Sequence, residues 1–190
     1  MKIVATILLA FVFIIGAYSQ DENKLSKSEI KRMQREQRKA EQAAQLEEQA
    51  VLTEYMVNNQ QFVLEADWLS DRSGARIPVS SMINFVTIDS LKGVVQFGSA
   101  YSVGYNGVGG ATFEGRVSNY KITKTGRNKQ GYSISMNFQS STGNYDISMM
   151  VNANGNADAT IRGSWSGKLN YHGKLVPLQL SRVYKGMSTY

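Results

Sequence analysis

The sequence predicts an all-β fold, an antiparallel sandwich or small barrel of about eight strands, preceded by one helix. Three observations carry this. Apolar residues recur every second position from residue 60 onward, the period of half-buried strands. Turn signals follow about every ten residues, and no helical period interrupts them. Upstream, residues 26–57 hold no Gly or Pro and are dense in Lys, Arg, Glu, Gln and Ala, which are strong helix formers.

The chain of 190 residues opens with Lys2, an apolar run over residues 3–15, and then Gly16-Ala17-Tyr18-Ser19. A short basic start, an apolar stretch too short for a membrane span and small residues before a cut after Ser19 are the parts of a secretory signal peptide. The alternative is an uncleaved anchor. The expected organisation is a signal over 1–19, a polar helical lead-in over 20–57, a β domain over 58–185 and a tail over 186–190. The location implied is the periplasm or cell envelope, in soluble form after cleavage. There is no cysteine, so neither disulfides nor thiol catalysis is available, and a lipidated cysteine cannot anchor the chain. The net charge of +6 belongs to the body beyond residue 57. An exported basic protein suits an anionic envelope component better than nucleic acid.

In the helix, Ser26 followed by Glu29 fits a capping box. Leu46, Ala50, Val51, Leu52, Tyr55 and Met56 form a short apolar stripe expected to dock on the body. The basic run from Lys31 to Lys39 offers at most weak association with a membrane surface. Phe62, Leu64, Ala66 and Trp68 form the first inward row, followed by Ile83, Phe85 and Thr87, then residues 94–97. Tyr132, Ile134, Met136 and Phe138, and after a turn Tyr145, Ile147, Met149 and Val151, predict a hairpin with one wet face. Asn154-Gly155 marks a second tight turn, with Ala157, Ala159 and Ile161 beyond it. Residues 168–171 and 174–183 complete the set as two separate strands.

The stretch GSAYSVGYNGVGG, residues 98–110, is too long for an ordinary hairpin turn. It is not a nucleotide cradle. Its glycine spacing is wrong, no Gly-Lys-Ser/Thr follows, and a strand rather than a helix comes next. Long loops on a sheet scaffold often carry binding, so Tyr101, Tyr105, Gly107, Gly109, Gly110 and Phe113 are the candidate ligand-binding residues. The apolar inner rows of a small barrel also suit a small apolar ligand.

Catalytic and metal chemistry has thin support. His172 is the only histidine and is expected at a turn, exposed. A zinc site needs more ligands. A Ser-His-Asp triad lacks its usual Gly-x-Ser-x-Gly elbow, because Gly163-Ser164-Trp165-Ser166-Gly167 has the wrong register. Residues 152–158 alternate oxygen ligands without the acidic twelfth position of a calcium loop. No catalytic residue, metal or cofactor is therefore assigned. The body has seven carboxylates (Glu65, Asp67, Asp71, Asp89, Glu114, Asp146 and Asp158). A converging pair would make a hydrolase, the rival to a binding module; a partner-binding role for the helix is the third reading. Lys121, Lys124, Arg127 and Lys129 read as a charged hairpin end.

The pattern Ala100-Tyr101-Ser102, Tyr105, Gly107, Gly109-Gly110, Phe113 and Gly115, with NYDI at 144–147 and Gly173-x-Leu175 entering the last strand, resembles a family of exported Bacteroidetes proteins known as a domain of unknown function, DUF4251. The resemblance covers about residues 50–183. It implies export and a β body but no enzyme activity, cofactor or catalytic residue. Members often look like lipoproteins, and this chain departs from them in lacking the lipid-acceptor cysteine.

Overall fold

A computed structural model describes residues 26–99, 101, 104, 106–126, 131–163 and 167–189. The expected signal peptide lies outside these residues. Helix α1 spans Lys27–Asn59. Nine strands follow: β1 Gln61–Ser70, β2 Arg76–Pro78, β3 Phe85–Asp89, β4 Lys92–Phe97, β5 Ala111–Thr125, β6 Gly131–Ser140, β7 Gly143–Val151, β8 Asn156–Gly163 and β9 Lys168–Pro177. Every pairing is antiparallel. The order runs β1-β3-β4-β5-β6-β7-β8-β9, and β9 returns to β1. Of the two expected architectures, the structure is the barrel: eight strands closed, with β2 an extra strand on the end of β1.

Closure leaves no open edge in the eight-strand cycle, so every barrel strand is paired on both sides. The interior is the core. Phe62, Leu64, Val86, Ile88, Ile134, Phe138, Ile147, Met149 and Tyr171 are all buried there. The predicted hairpin of β6 and β7 alternates buried and exposed residues as expected, and its register pairs Phe138 with Tyr145 and Ile134 with Met149. Asn154-Gly155 makes the next turn, with Gly155 at φ 79°.

Three expectations change. Trp68 does not continue the inward row, because a bulge between Ala66 and Trp68 shifts the register and leaves Trp68 exposed. A β-bulge adds one residue and flips the alternation beyond it, so Leu69 turns inward instead. Residues 168–171 and 174–183 are not two strands. One strand, β9, runs through His172-Gly173 to Pro177, and residues 178–189 leave the sheet. Thr87, expected to share a face with Phe85, does so, but that face is the outer one; Val86 and Ile88 face the core.

The helix begins with the capping box. The Ser26 backbone N–H donates to Glu29 Oε2 at 2.8 Å and the Ser28 N–H to Ser26 Oγ at 3.2 Å. Residues 26–43 are exposed throughout. The last turns belong to the barrel unit, which begins at Ala44. There the docking face differs from the predicted stripe. Leu46, Val51 and Tyr55 are exposed, while Thr53, Met56 and Val57 are buried. Thr53 Oγ1 reaches the Ala153 carbonyl at 3.5 Å and Tyr120 Oη donates to the Val57 carbonyl at 2.9 Å, which plugs the end of the barrel beside the β7–β8 turn. Lys124 Nζ adds an ion pair to Glu54 at 2.7 Å. Among the described residues, no helix is long and apolar enough to cross a membrane.

Candidate functional site

Two surfaces follow from how the chain continues after β9. Residues 178–189 run back along the outer wall made by β1, β3, β4 and β5. The strand registers fix what they cross. Glu65, Phe85, Gln96 and Thr112 are successive cross-strand partners, so their side chains form one transverse row on the outside. Ser181 Oγ donates to Glu65 Oε1 at 2.6 Å. Gln96 Nε2 donates to the Tyr184 carbonyl at 2.9 Å, and the Gly186 N–H donates to Gln96 Oε1 at 2.8 Å. Thr112 and Thr189 exchange two bonds, the Thr112 N–H to Thr189 Oγ1 and the Thr189 N–H to the Thr112 carbonyl, both 2.9 Å. This strap explains why Gln96 and Thr112, polar and outward-facing, are completely buried; buried amides and hydroxyls persist when every hydrogen bond is made.

The glycine-tyrosine loop is built on the same network. Asn106, fully buried, accepts from the Val108 and Gly110 N–H groups at Oδ1 (3.1 and 3.0 Å) and donates from Nδ2 to Thr112 Oγ1 at 3.0 Å. The Met187 N–H closes on the Asn106 carbonyl at 3.0 Å. Glycine is required where the backbone packs this closely. A Cβ on Gly110 would lie 2.1 Å from the Phe97 carbonyl oxygen, and Gly104 combines a φ of +56° with a Cβ position 2.7 Å from the Gly110 nitrogen.

The six sequence candidates therefore separate. Tyr101 is fully exposed at the loop surface, with a relative accessibility of 99%. Tyr105 lies outside the described residues. Gly107 and Gly109 adopt positive φ, and Gly110 sits against Phe97. Phe113 points into the barrel, its ring 6.2 Å from Phe97 and 5.7 Å from Tyr145. Those rings, with Val95, Phe138, Ile161 and Leu169, leave an interior cavity of only about 20 Å³. That is room for about one water, too little for the small apolar ligand its composition suggested.

The larger cavity is outside. Between the strap and the wall lies a groove of about 430 Å³, lined by Val63, Thr87, Val94, Leu178, Ser181 and Val183, with Asp89, Lys92 and Glu114 at its margins. Composition alone could not place it, because the strap reads as a strand and its register is unknowable from a single sequence.

His172 departs most from its expected turn. It sits in the middle of β9, its side chain 18% exposed. Nδ1 lies 2.6 Å from Asp158 Oδ1, and Nε2 lies 3.1 Å from Ser70 Oγ. The order is that of a Ser-His-Asp relay. Ser70, however, is buried, its Oγ accepts from Asn170 Nδ2 at 3.1 Å, and Asn170 Oδ1 in turn accepts from Thr160 Oγ1 at 2.9 Å. Neither the groove nor the interior cavity is lined by any of these residues. A nucleophile must meet its substrate; this chain of bonds instead ties β8, β9 and β1 together across the closing seam. Among the described residues, no group of three His, Cys, Asp or Glu is placed to hold a metal.

The family model described as "Domain of unknown function (DUF4251)" matches residues 41–175, from the last turns of α1 through most of β9. The chain belongs to the DUF4251 family. A crystal structure of a DUF4251 family protein from Bacteroides eggerthii DSM 20697 is similar to it at 32% identity and a TM-score of 0.59, covering 71% of this chain and 91% of the other. No curated protein matches the chain. The DUF4251 match ends at residue 175, before the strap, so the family model takes in the barrel and not the segment that roofs the groove.

Proposed function

We propose that the protein is a non-enzymatic binding module of the cell envelope, exported through the signal at its start, and that it takes a small ligand in the groove between residues 178–183 and the outer wall. The observation that carries this reading is the groove itself. Its volume of about 430 Å³ falls within the usual range for ligand sites, about 300–1,000 Å³, whereas the barrel interior is filled. The apolar floor, a few polar groups and a wall supplied by a separate segment are the composition of such sites. Tyr101, fully exposed on the loop whose later part Asn106 bonds at Val108 and Gly110, offers a second surface for an envelope component.

The test is native purification of the exported protein followed by mass spectrometry of what it carries. A co-purifying small molecule that disappears in Val94→Trp, which fills the groove from an outward position, supports the reading. A molecule retained by that variant but lost in Tyr101→Ala moves the site to the loop. An empty protein whose melting temperature ignores envelope lipids and glycans overturns it. N-terminal sequencing of the same sample should begin at Gln20.

A further inference from the structure

We infer that the groove selects an anionic amphiphile, a ligand with one apolar arm and a carboxylate or phosphate head; the inference rests on the groove being the ligand site. The strand registers sort the outer wall into three transverse rows. The strap seals the first. The second is Val63, Thr87, Val94 and Glu114; its first three residues form the floor and Glu114 stands at the end of it. The third is Gln61, Asp89, Lys92 and Arg116. Polarity therefore changes across the groove in one direction. Leu178 and Val183 stand on the strap side with Val63 and Val94 below, and ionised groups stand along the open rim. With strands about 4.8 Å apart, the floor from Val63 to Val94 extends over roughly 10 Å, long enough for an extended eight-carbon arm.

The rim has a charge imbalance that favours an anion. Lys92 and Arg116 are directly opposed across β4 and β5, both are exposed, and among the described residues neither enters an ion pair. Like charges placed opposite each other destabilise a sheet. Of the two nearby carboxylates, Glu114 is already engaged by Lys185 Nζ at 3.0 Å. Asp89 accepts a long bond from Gln61 Nε2 at 3.4 Å and faces Lys92 across the β3–β4 pair. Two cations thus share one available carboxylate. An anionic head between Lys92 and Arg116 would relieve that repulsion through charge-assisted hydrogen bonds while its arm lies on Val63 and Val94.

The experiment titrates the purified full chain with octanoate, 1-octanol, octylamine and inorganic phosphate, read by amide chemical shifts of the groove residues. Octanoate should bind about tenfold or more tightly than octanol or octylamine, and phosphate alone should not displace it. Lys92→Gln/Arg116→Gln should erase that preference and leave octanol binding unchanged. Both sites are exposed, and a circular-dichroism melt no lower than that of the unaltered protein establishes that the variant folds. Equal binding of octanol and octanoate overturns the charge selection while leaving the groove as the ligand site. Displacement of octanoate by phosphate makes the rim a plain anion site and overturns the amphiphile. Failure of all three octyl probes to shift the groove residues overturns the inference and, if Val94→Trp also leaves any co-purified ligand in place, the groove reading with it.

Discussion

The two walls of the barrel use the same strand pattern to different ends. The wall of β6, β7 and β8 presents Ser133, Ser135, Asn137, Asp146 and Asp158 to solvent and buries only its inner face. The wall of β1, β3, β4 and β5 is covered within by the core and, along the row Glu65, Phe85, Gln96 and Thr112, outside by residues 178–189. That outer row is therefore a second interior. Four of the six buried polar residues among those described, Asn84, Gln96, Asn106 and Thr112, belong to this covered side, where they bond the strap and the glycine-tyrosine loop. A polar side chain at an outward strand position is thus neutral on one wall and indispensable on the other.

The largest expected effect lies at Gln96, which makes four hydrogen bonds: to the Ile83 and Tyr184 carbonyls and from Thr112 Oγ1 and the Gly186 N–H. Gln96→Leu orphans these buried partners at about 1–3 kcal/mol each where they cannot rehydrate, so a loss of about 4 kcal/mol in urea unfolding is expected. Ser135→Ala, at an exposed outward position on the bare wall, should cost under about 0.5 kcal/mol. Similar values for the two would erase the distinction between the walls.

Gly110→Ala should cost about 2–3 kcal/mol, since its methyl would strike the Phe97 carbonyl and only a shift of the loop backbone could relieve it. If the cost is near zero, the loop is not packed as described. The seam sharpens the comparison at a smaller scale. His172→Leu should destabilise by about 1–2 kcal/mol through the loss of its bonds to Ser70 and Asp158. A fluorophosphonate should leave Ser70 unlabelled in the folded protein; a stable adduct there would turn the seam into a reactive site.

The mildest effect concerns the plugged end. Burial raises the phenol pKa of Tyr120 above its ordinary 10.0, and the hydrogen bond that Lys124 donates to Glu54, helped by the Glu54 charge, raises Lys124 above 10.5. In both cases the folded protein holds its proton more tightly than the unfolded chain. The stabilisation is complete below the unfolded values and is lost as pH rises through the folded ones. Stability should fall from about pH 10 upward, and Tyr120→Phe should make that fall shallower. An unchanged alkaline slope would mean that Tyr120 is not sequestered against Val57.

The bare wall was legible in the sequence because its chemistry matches its geometry. Tyr132 to Val151 alternates apolar with polar, and Asn154-Gly155 supplies the turn. The covered wall was not, because period-two reading assumes that outward polar residues meet water. Gln96 and Thr112 satisfy the pattern and violate the assumption. The same blindness hid the bulge at Ala66–Trp68, which no local signal marks, and the strap, whose Leu178, Leu180 and Val183 look like a further strand. His172 read as a turn residue because Gly173 follows it. That glycine is needed for another reason, since a Cβ there would meet the Glu65 carbonyl oxygen of β1 at 1.9 Å. In the glycine-tyrosine loop the buried bonds are made by Asn106, a residue that carried no motif.

The closing pair of β1 and β9 also sets the order of events in folding. From β3 to β9 the barrel is a meander, and each strand meets the one that preceded it. The pairing that joins Phe62 to Pro177 spans the widest sequence separation in the barrel and carries the largest loop-closure cost. Non-local β closure of this kind belongs to the slow end of single-domain folding, in milliseconds to seconds. The strap has no row to lie on until the wall beneath it exists, so the groove is the last part of the molecule to be assembled. It should also be the first to open in hydrogen exchange, with the amides of Gly186, Met187 and Thr189 reporting the event before those of the barrel.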